Sequence, residues 1–405
     1  MNSGEKTSYA SSRASSYDIP RKRTHTRRPH RKTKTGCLTC KKRKIKCDEA
    51  RPECDNCIKH ILECEYAPSK VPVVTTGTAL SSGAHDLNLV DLEFLHNYCT
   101  STALTLHRDS ATIRLWSFTV PQFGFVHDYV MHGVLALSAL HMGHCHPERK
   151  EFYTEQATLH HKLGLEKATP ALSAFAEENA TAMYLFSALT CIYTYTTIGQ
   201  TDDSVLGGES SWIFLSRQSY SLIRLAGDAI KEGPLGPLFL AGARRTRLRD
   251  MLVEAPACFA EADRLRELSA RIDESVLDSE AREAYNAAIN DMLEILKVIY
   301  SLEEEGREFS DVFRWPFQLS VGFIDLLQIP TQESLAVIAH FAAIPEYIGS
   351  KWWLEGFGRR LLAKIYPLID EEHLSWIQWP VQQLGITSEG GFPTTSYGTP
   401  MDIGS

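Results

Sequence analysis

From Leu87 onward apolar residues return every three or four positions, the period of helices buried along one face. Within Asp128–Cys145 the sets Val130, Val134, Leu137 and Met131, Leu135, Ala139 both advance in that step, which predicts one helix with a wide apolar face. Similar faces follow around residues 181–198, 212–230, 262–302, 332–343 and 354–369, with Pro170, the Gly/Pro run at 233–237 and Pro330 as punctuation. Alternating strand patterns are scarce. The pattern predicts an all-α body over residues 87–385, of roughly eight to twelve helices at ordinary helix lengths, and a loose tail at 386–405.

Ahead of the body the helical period is absent. Residues 1–36 are Ser-rich and then basic (RKRTHTRRPHRKTKT), with little to bury, and predict a disordered arm. Residues 37–66 form a cysteine-rich module. Residues 67–86, dominated by small, Pro, Thr, Ser and Gly residues, predict a flexible linker.

Charge sharpens this division. The net charge of −8 hides 18 Lys and Arg against 8 Asp and Glu in residues 1–70, and 24 against 42 in the remainder. A basic head precedes an acidic body, and a basic head points to a polyanion as partner. The first residues lack the apolar segment of a secretory signal, so a reducing compartment is expected, where clustered thiols bind metal more often than they pair. The uncharged run at 179–201 is long enough to span a bilayer, but its Asn, Gln, Ser and six Thr mark a buried core helix instead, so no membrane span is expected.

Six of the ten cysteines fall as Cys37-x2-Cys40-x6-Cys47-x6-Cys54-x2-Cys57-x6-Cys64, a Cys-x2-Cys-x6-Cys unit repeated after 17 residues. Each Cys-x2-Cys pair at a helix start offers two sulfurs to one metal, and the third cysteine, two turns later, adds a third. Three sulfurs leave a tetrahedral zinc one ligand short. Two zincs need eight contacts, which six thiolates supply only if two sulfurs bridge, one per unit by symmetry. Such a cluster carries a formal −2, and the insert Lys41-Lys42-Arg43-Lys44-Ile45-Lys46 supplies five cations beside it. A disulfide framework would need export. A single-zinc ribbon on Cys37, Cys40, Cys54 and Cys57 would leave Cys47 and Cys64 idle. Five cations on a metal-held fold favour nucleic acid over a merely solvated face, and the lack of interleaved aromatics favours duplex DNA over unpaired RNA. Basic residues 21–34 suit nuclear import or phosphate contact.

These six cysteines, the basic insert and Pro52 resemble the fungal Zn2Cys6 binuclear cluster transcription factors. The resemblance implies that Cys37 and Cys54 bridge two Zn2+ ions and that Pro52 makes the turn between halves. It further implies that the first helix enters the major groove and reads CGG half-sites, with Lys44 on the bases and Arg43 beside it. Lys41, Lys42 and Lys46 would hold phosphates, with salt-dependent affinity. Nuclear localisation and control of RNA polymerase II genes, with the transcription machinery as partner, follow from the same likeness. Over the body, DLEFLHNYCTSTALTL, HDYVMHGVLALSALHMGHCHPERKEFY, GPLGPLF and KWWLEGFGRRLL resemble the regulatory domain of the sterol uptake control proteins and their relatives. This implies a helical domain sensing a sterol or other apolar ligand, and control of sterol or secondary-metabolite genes. No ligand residue carries over.

Other constellations weigh less. His141, His144, Cys145 and His146 offer metal ligands but end an apolar helix before Pro147, so local bonding is favoured. Trp352 and Trp353 would more often anchor packing than wall a pocket. Leu265, Leu268, Ile272 and Val276 share a side that could form a homodimer seam, yet the heptads stop, which favours burial in the chain's own core. Glu303 and Glu304 read as a solvated surface pair. No phosphate loop or HExxH motif occurs, and Gly208-Glu209-Ser210-Ser211-Trp212 departs from a nucleophile elbow at its last position, so no enzyme is expected. The second reading, from another class, is a ligand-sensing regulatory protein whose zinc head mediates protein contacts.

Overall fold

The computed structural model describes residues 36–50, 54–60, 62–64, 66, 87–173, 175–199, 211–252, 259–349 and 351–386. Pro52, the basic arm through residue 35, the linker at 67–86, the tail from 387, Gly208–Ser210 and Cys258 lie outside the described residues. Contacts divide the chain into two compact units, Met1–Ala67 and Pro68–Ser405.

In the first unit two five-residue helices, α1 (Leu38–Lys42) and α2 (Asp55–Lys59), stand beside a core of six cysteines against which, among the described residues, only Ile45 and Tyr66 pack. That is far too little apolar surface to hold a chain of this size without a cross-link or metal.

The second unit is all helical among the described residues. Its twelve helices of seven or more residues are α3 (Leu89–Asn97), α4 (Asp128–Cys145), α5 (Lys150–Ser173), α6 (Glu177–Thr197), α7 (Trp212–Glu232), α8 (Gly236–Leu252), α9 (Ala260–Ser275), α10 (Ser279–Tyr300), α11 (Val321–Gln328), α12 (Gln332–Ala343), α13 (Phe357–Ile365) and α14 (Gln378–Leu384). Helix α4 is buried on nearly every side because its two apolar sets serve two clusters. Val130, Val134 and Leu137 face the main core, while Leu135, Ala139 and Met142 meet Phe94, Tyr153 and Ala157.

The uncharged run is α6, whose hydroxyls fold back on their own helix: Thr194 donates to the Thr190 carbonyl at 2.9 Å and Thr197 to Tyr193 at 2.9 Å. Those bonds let so many threonines sit in a packed interior. No helix among the described residues is long and apolar enough to cross a membrane. At the C-terminal end of α6, Arg360 donates to the carbonyls of Thr196 and Ile198 at 3.1 and 2.8 Å.

The main core closes on stacked aromatics. Phe341 lies 4.3 Å from Trp315 and 5.4 Å from Trp212 between ring centroids, and Trp315 donates its indole N–H to the Ala288 carbonyl at 2.8 Å. Helices α12 and α13 approach so closely that a Cβ on Gly358 would sit 2.1 Å from the Ala342 carbonyl oxygen, so only glycine fits there. Buried Asp311 ties α8 to the turn after α10, accepting from Arg245 Nε at 2.8 Å and Arg249 Nε at 2.9 Å.

Two expectations change. Pro170 does not stop a helix: α5 runs through it to Ser173, because the proline lies near the last turn on the exposed side, where its missing N–H deprives only a solvent-side carbonyl. The face at 262–302 is two helices, broken where Val276 turns extended and Asp278 caps α10 by accepting from the Glu280 N–H at 3.0 Å.

Candidate metal centre and nucleic-acid interface

A cysteine in extended conformation caps each short helix of the head. Cys37 stands at φ −60°, ψ 153° before α1, and Cys54 at φ −77°, ψ 148° before α2. The Cys-x2-Cys spacing then sets the second cysteine three residues into the first turn, where it faces the same side as the cap. Cys37 Sγ accepts the Cys40 N–H at 3.3 Å. The third cysteine of each half returns to the start of its own unit: Cys47 Sγ accepts from the Cys37 N–H at 3.4 Å, and Cys64 Sγ from the Cys54 N–H at 3.3 Å.

All six sulfurs are buried, and four of them, from Cys37, Cys40, Cys54 and Cys57, lie within 4.8 Å of one another. Cys37 Sγ is 3.8 Å from Cys54 Sγ and 3.8 Å from Cys57 Sγ, and Cys54 Sγ is 3.6 Å from Cys40 Sγ. A tetrahedron with metal–sulfur bonds of about 2.3 Å has edges of about 3.8 Å, so these spacings match sulfurs sharing zinc and exceed a disulfide's S–S bond of about 2.05 Å. Cys37 and Cys54 each touch a cysteine of the opposite half.

The electrostatics require cations at this point. Burial, then hydrogen bonding and charge from neighbouring sulfurs, pushes the Cys40 and Cys57 thiols well up, and burial raises Cys64 to about 12. Against its own burial, Cys37 is held below the ordinary value by the Cys40 N–H and nearby thiols. Thiolates crowded this closely do not persist unless metal charge compensates them, so the donor set fits divalent soft-ligand ions.

Side chains the sequence reading passed over bind the halves together. Thr39 Oγ1 donates to the Glu63 carbonyl at 2.6 Å, and Asn56 Nδ2 to the Lys46 carbonyl at 2.7 Å. Tyr66 donates to the Ala50 carbonyl at 3.0 Å with its oxygen 3.6 Å from Cys47 Sγ. The repeat was the only signal for the first two, since Thr39 and Asn56 occupy equivalent positions 17 residues apart.

Lys41, Lys42, Arg43, Lys44 and Lys46 are all exposed on one short stretch. Only the first two are helical. Arg43 caps α1 and Lys44 has a left-handed backbone at φ 56°, so the third cysteine arrives by a reversal of the chain and not by further helical turns. That places Lys44 past the C-terminal end of α1, at the corner of the turn.

The lesser constellations resolve into packing. His141 is bonded to Thr102 Oγ1 at 3.0 Å and its Nε2 lies 3.6 Å from Cys145 Sγ, but His144 pairs with Glu355 and His146 with Glu148, so no three of these ligand atoms converge. Trp353 is buried against Phe309 at 4.5 Å, and Trp352 donates to Thr105 Oγ1 at 2.8 Å. Leu265, Leu268 and Ile272 are buried in the main core. Ser211 caps α7, accepting from the Phe214 N–H at 3.3 Å.

Comparison with known proteins agrees with this geometry. Residues 35–71 match the family model of the fungal Zn(2)-Cys(6) binuclear cluster domain. The chain is 24% identical to the Zn(2)-C6 fungal-type transcription factor afumD of Aspergillus fumigatus, over 79% of this chain and 87% of that one. It is 21% identical to a Zn(2)-C6 fungal-type transcription factor of Gibberella zeae, over 93% and 90%. Similarity to Sterol uptake control protein 2 of Candida albicans reaches 50% identity but spans 48 residues at the head, 12% of this chain and 7% of that protein.

Proposed function

Proceeding from a fungal Zn(2)-Cys(6) cluster domain on a chain whose long relatives are named transcription factors, we propose that this protein is a zinc-dependent, sequence-specific DNA-binding regulator of RNA polymerase II genes, acting in the nucleus and without enzymatic activity. In this reading Cys37, Cys40, Cys47, Cys54, Cys57 and Cys64 hold two zinc ions, with Cys37 and Cys54 shared. The observation that carries the assignment is the contact of these two sulfurs with each other and with the opposite half, at tetrahedral-edge spacing. Zinc, when bound, supplies the positive charge and cross-links that the small cysteine core lacks.

The exposed cations do the recognition. Lys44, at the corner past α1, donates to guanine O6 and N7 of a CGG half-site with Arg43 beside it. Lys41, Lys42 and Lys46 hold phosphates and make affinity fall with salt. The test is a mobility shift of the full-length protein on CGG-containing and scrambled duplexes, with and without a zinc chelator. Zinc-dependent preference for CGG is expected. Equal binding to both duplexes, or binding that survives the chelator, would overturn the reading; no binding by folded, zinc-loaded protein would leave the head a protein-contact module.

The all-α unit is the regulatory part of the chain in this reading, and the genes belong to a biosynthetic pathway, of sterols or secondary metabolites. The pathway rests on the resemblance of the helical segments. Genome-wide chromatin occupancy tests it: enrichment at such gene clusters supports it, and occupancy confined to other promoters rejects it.

A further inference from the structure

We propose that the helical unit binds a small aromatic carboxylic acid that also carries a hydrogen-bond donor, in the cleft between α7, α10 and the turn entering α11. The cleft has a volume of about 550 Å³, within the range of roughly 300–1,000 Å³ usual for small-molecule sites. Its lining divides into three kinds of group, and each selects one part of the ligand.

The rings of Tyr220 and Phe317 flank the cleft with centroids 6.3 Å apart and planes tilted by 47°, and Tyr220 and Val321 remain 45% and 67% exposed. Apolar surface left open inside a concave site gains from a flat apolar body. Two guanidiniums share the wall. Arg217 is anchored by donating to the Leu319 carbonyl, which holds its charge in place. Arg224, one helical face along α7, is exposed and has neither hydrogen bond nor ion pair among the described residues. A free planar fork beside an anchored one suits a carboxylate.

Asp291 supplies the third selection. It lines the same cleft from α10, half-buried, with no hydrogen-bond partner among the described residues. Burial pushes its carboxyl above the ordinary range and Glu294 adds to that, while Arg314 pulls the other way. A carboxyl with no hydrogen-bond partner, in the same cleft as two guanidiniums, repels a multiply charged anion such as a phosphate ester, and it is satisfied by a ligand hydroxyl or ammonium. The ligand therefore carries a single carboxylate together with a donor group, and is not a sterol-like body without charged groups.

The inference does not depend on DNA reading, because binding is measured without DNA. Full-length protein is titrated by calorimetry and saturation-transfer NMR with three probes that share one ring: 3-phenylpropionate, L-phenylalanine and 2-phenylethylamine. The two carboxylates should bind saturably with Kd of roughly millimolar order for ligands of this size, L-phenylalanine the tighter, and the amine alone should not. Arg224→Ala, a change at an exposed side chain, should weaken both carboxylates by roughly tenfold with the melting temperature unchanged. Asp291→Asn should narrow the gap between L-phenylalanine and 3-phenylpropionate. Absence of saturation by either carboxylate, undiminished binding in Arg224→Ala, or equal binding of the amine would overturn the proposal.

Discussion

Adding 17 to a residue number in the first half of the head gives its counterpart in the second, and the correspondence holds in space for much of the sulfur and backbone framework, although Cys37 Sγ accepts an N–H from its own helix and Cys54 Sγ does not. Cys37 and Cys54 cap equivalent helices, Cys47 and Cys64 accept from the equivalent N–H groups, and Thr39 and Asn56 reach across to the carbonyls of Glu63 and Lys46, themselves a matched pair. Most outward side chains break the match. Lys41 corresponds to Ile58, 52% exposed, Arg43 to His60 and Lys46 to Glu63, while Lys42 keeps a lysine, Lys59, as its counterpart. A duplicated scaffold thus presents a strongly cationic surface once only, which separates the residues that build the fold from those that give it a partner.

The largest expected effect tests the shared part. Cys37→Ser and Cys54→Ser should each empty the head of stoichiometric zinc and unfold it, seen by elemental analysis and NMR of the full chain, while the helical signal of the second unit persists. If one of the two variants kept both metals, the halves would not be equivalent in ligation. The unshared part comes next. Lys44→Ala should lose about 1–3 kcal/mol of discrimination at a guanine, and Lys41→Ala should reduce the salt slope by about one on all sequences. Ile58→Ala, at the position matching Lys41, should leave DNA affinity unchanged in the same titrations; a comparable loss there would show that both halves touch DNA. The smallest effect returns to symmetry. Thr39→Ala and Asn56→Ala should each lower the stability of the zinc-loaded head by about 1 kcal/mol, and unequal losses in a chelator titration would show that one half folds on the other.

Much of this was legible before any coordinates. Cysteine spacing announces the metal module because each Cys-x2-Cys is a local device, and an apolar period of three or four residues announces α4, α6, α7 and α12 because burial follows the helical repeat. Lys44 was harder to place. Its left-handed backbone has no glycine to mark it, and it exists because Cys47 must return to the Cys37 N–H. Helix α5 has a mostly polar sequence and an internal proline, yet Tyr153, Ala157, Gly164 and Ala168 are buried along it. Small residues carry little periodic signal but allow close packing, as at Gly164, where a Cβ would lie 2.9 Å from the Phe186 ring.

By itself the amino-acid order determined the metal-binding repeat, the single cationic insert, the all-α body and the break between head and body. These are properties of spacing, charge and period, which act within a few turns of chain. Only the tertiary structure decided which sulfurs meet across the two halves, that Thr39 and Asn56 lock them, and that Arg217, Arg224 and Asp291 come to one cleft. Such meetings join residues 10 to 74 positions apart, and no local period encodes them: they follow from how whole helices pack once their apolar faces are buried.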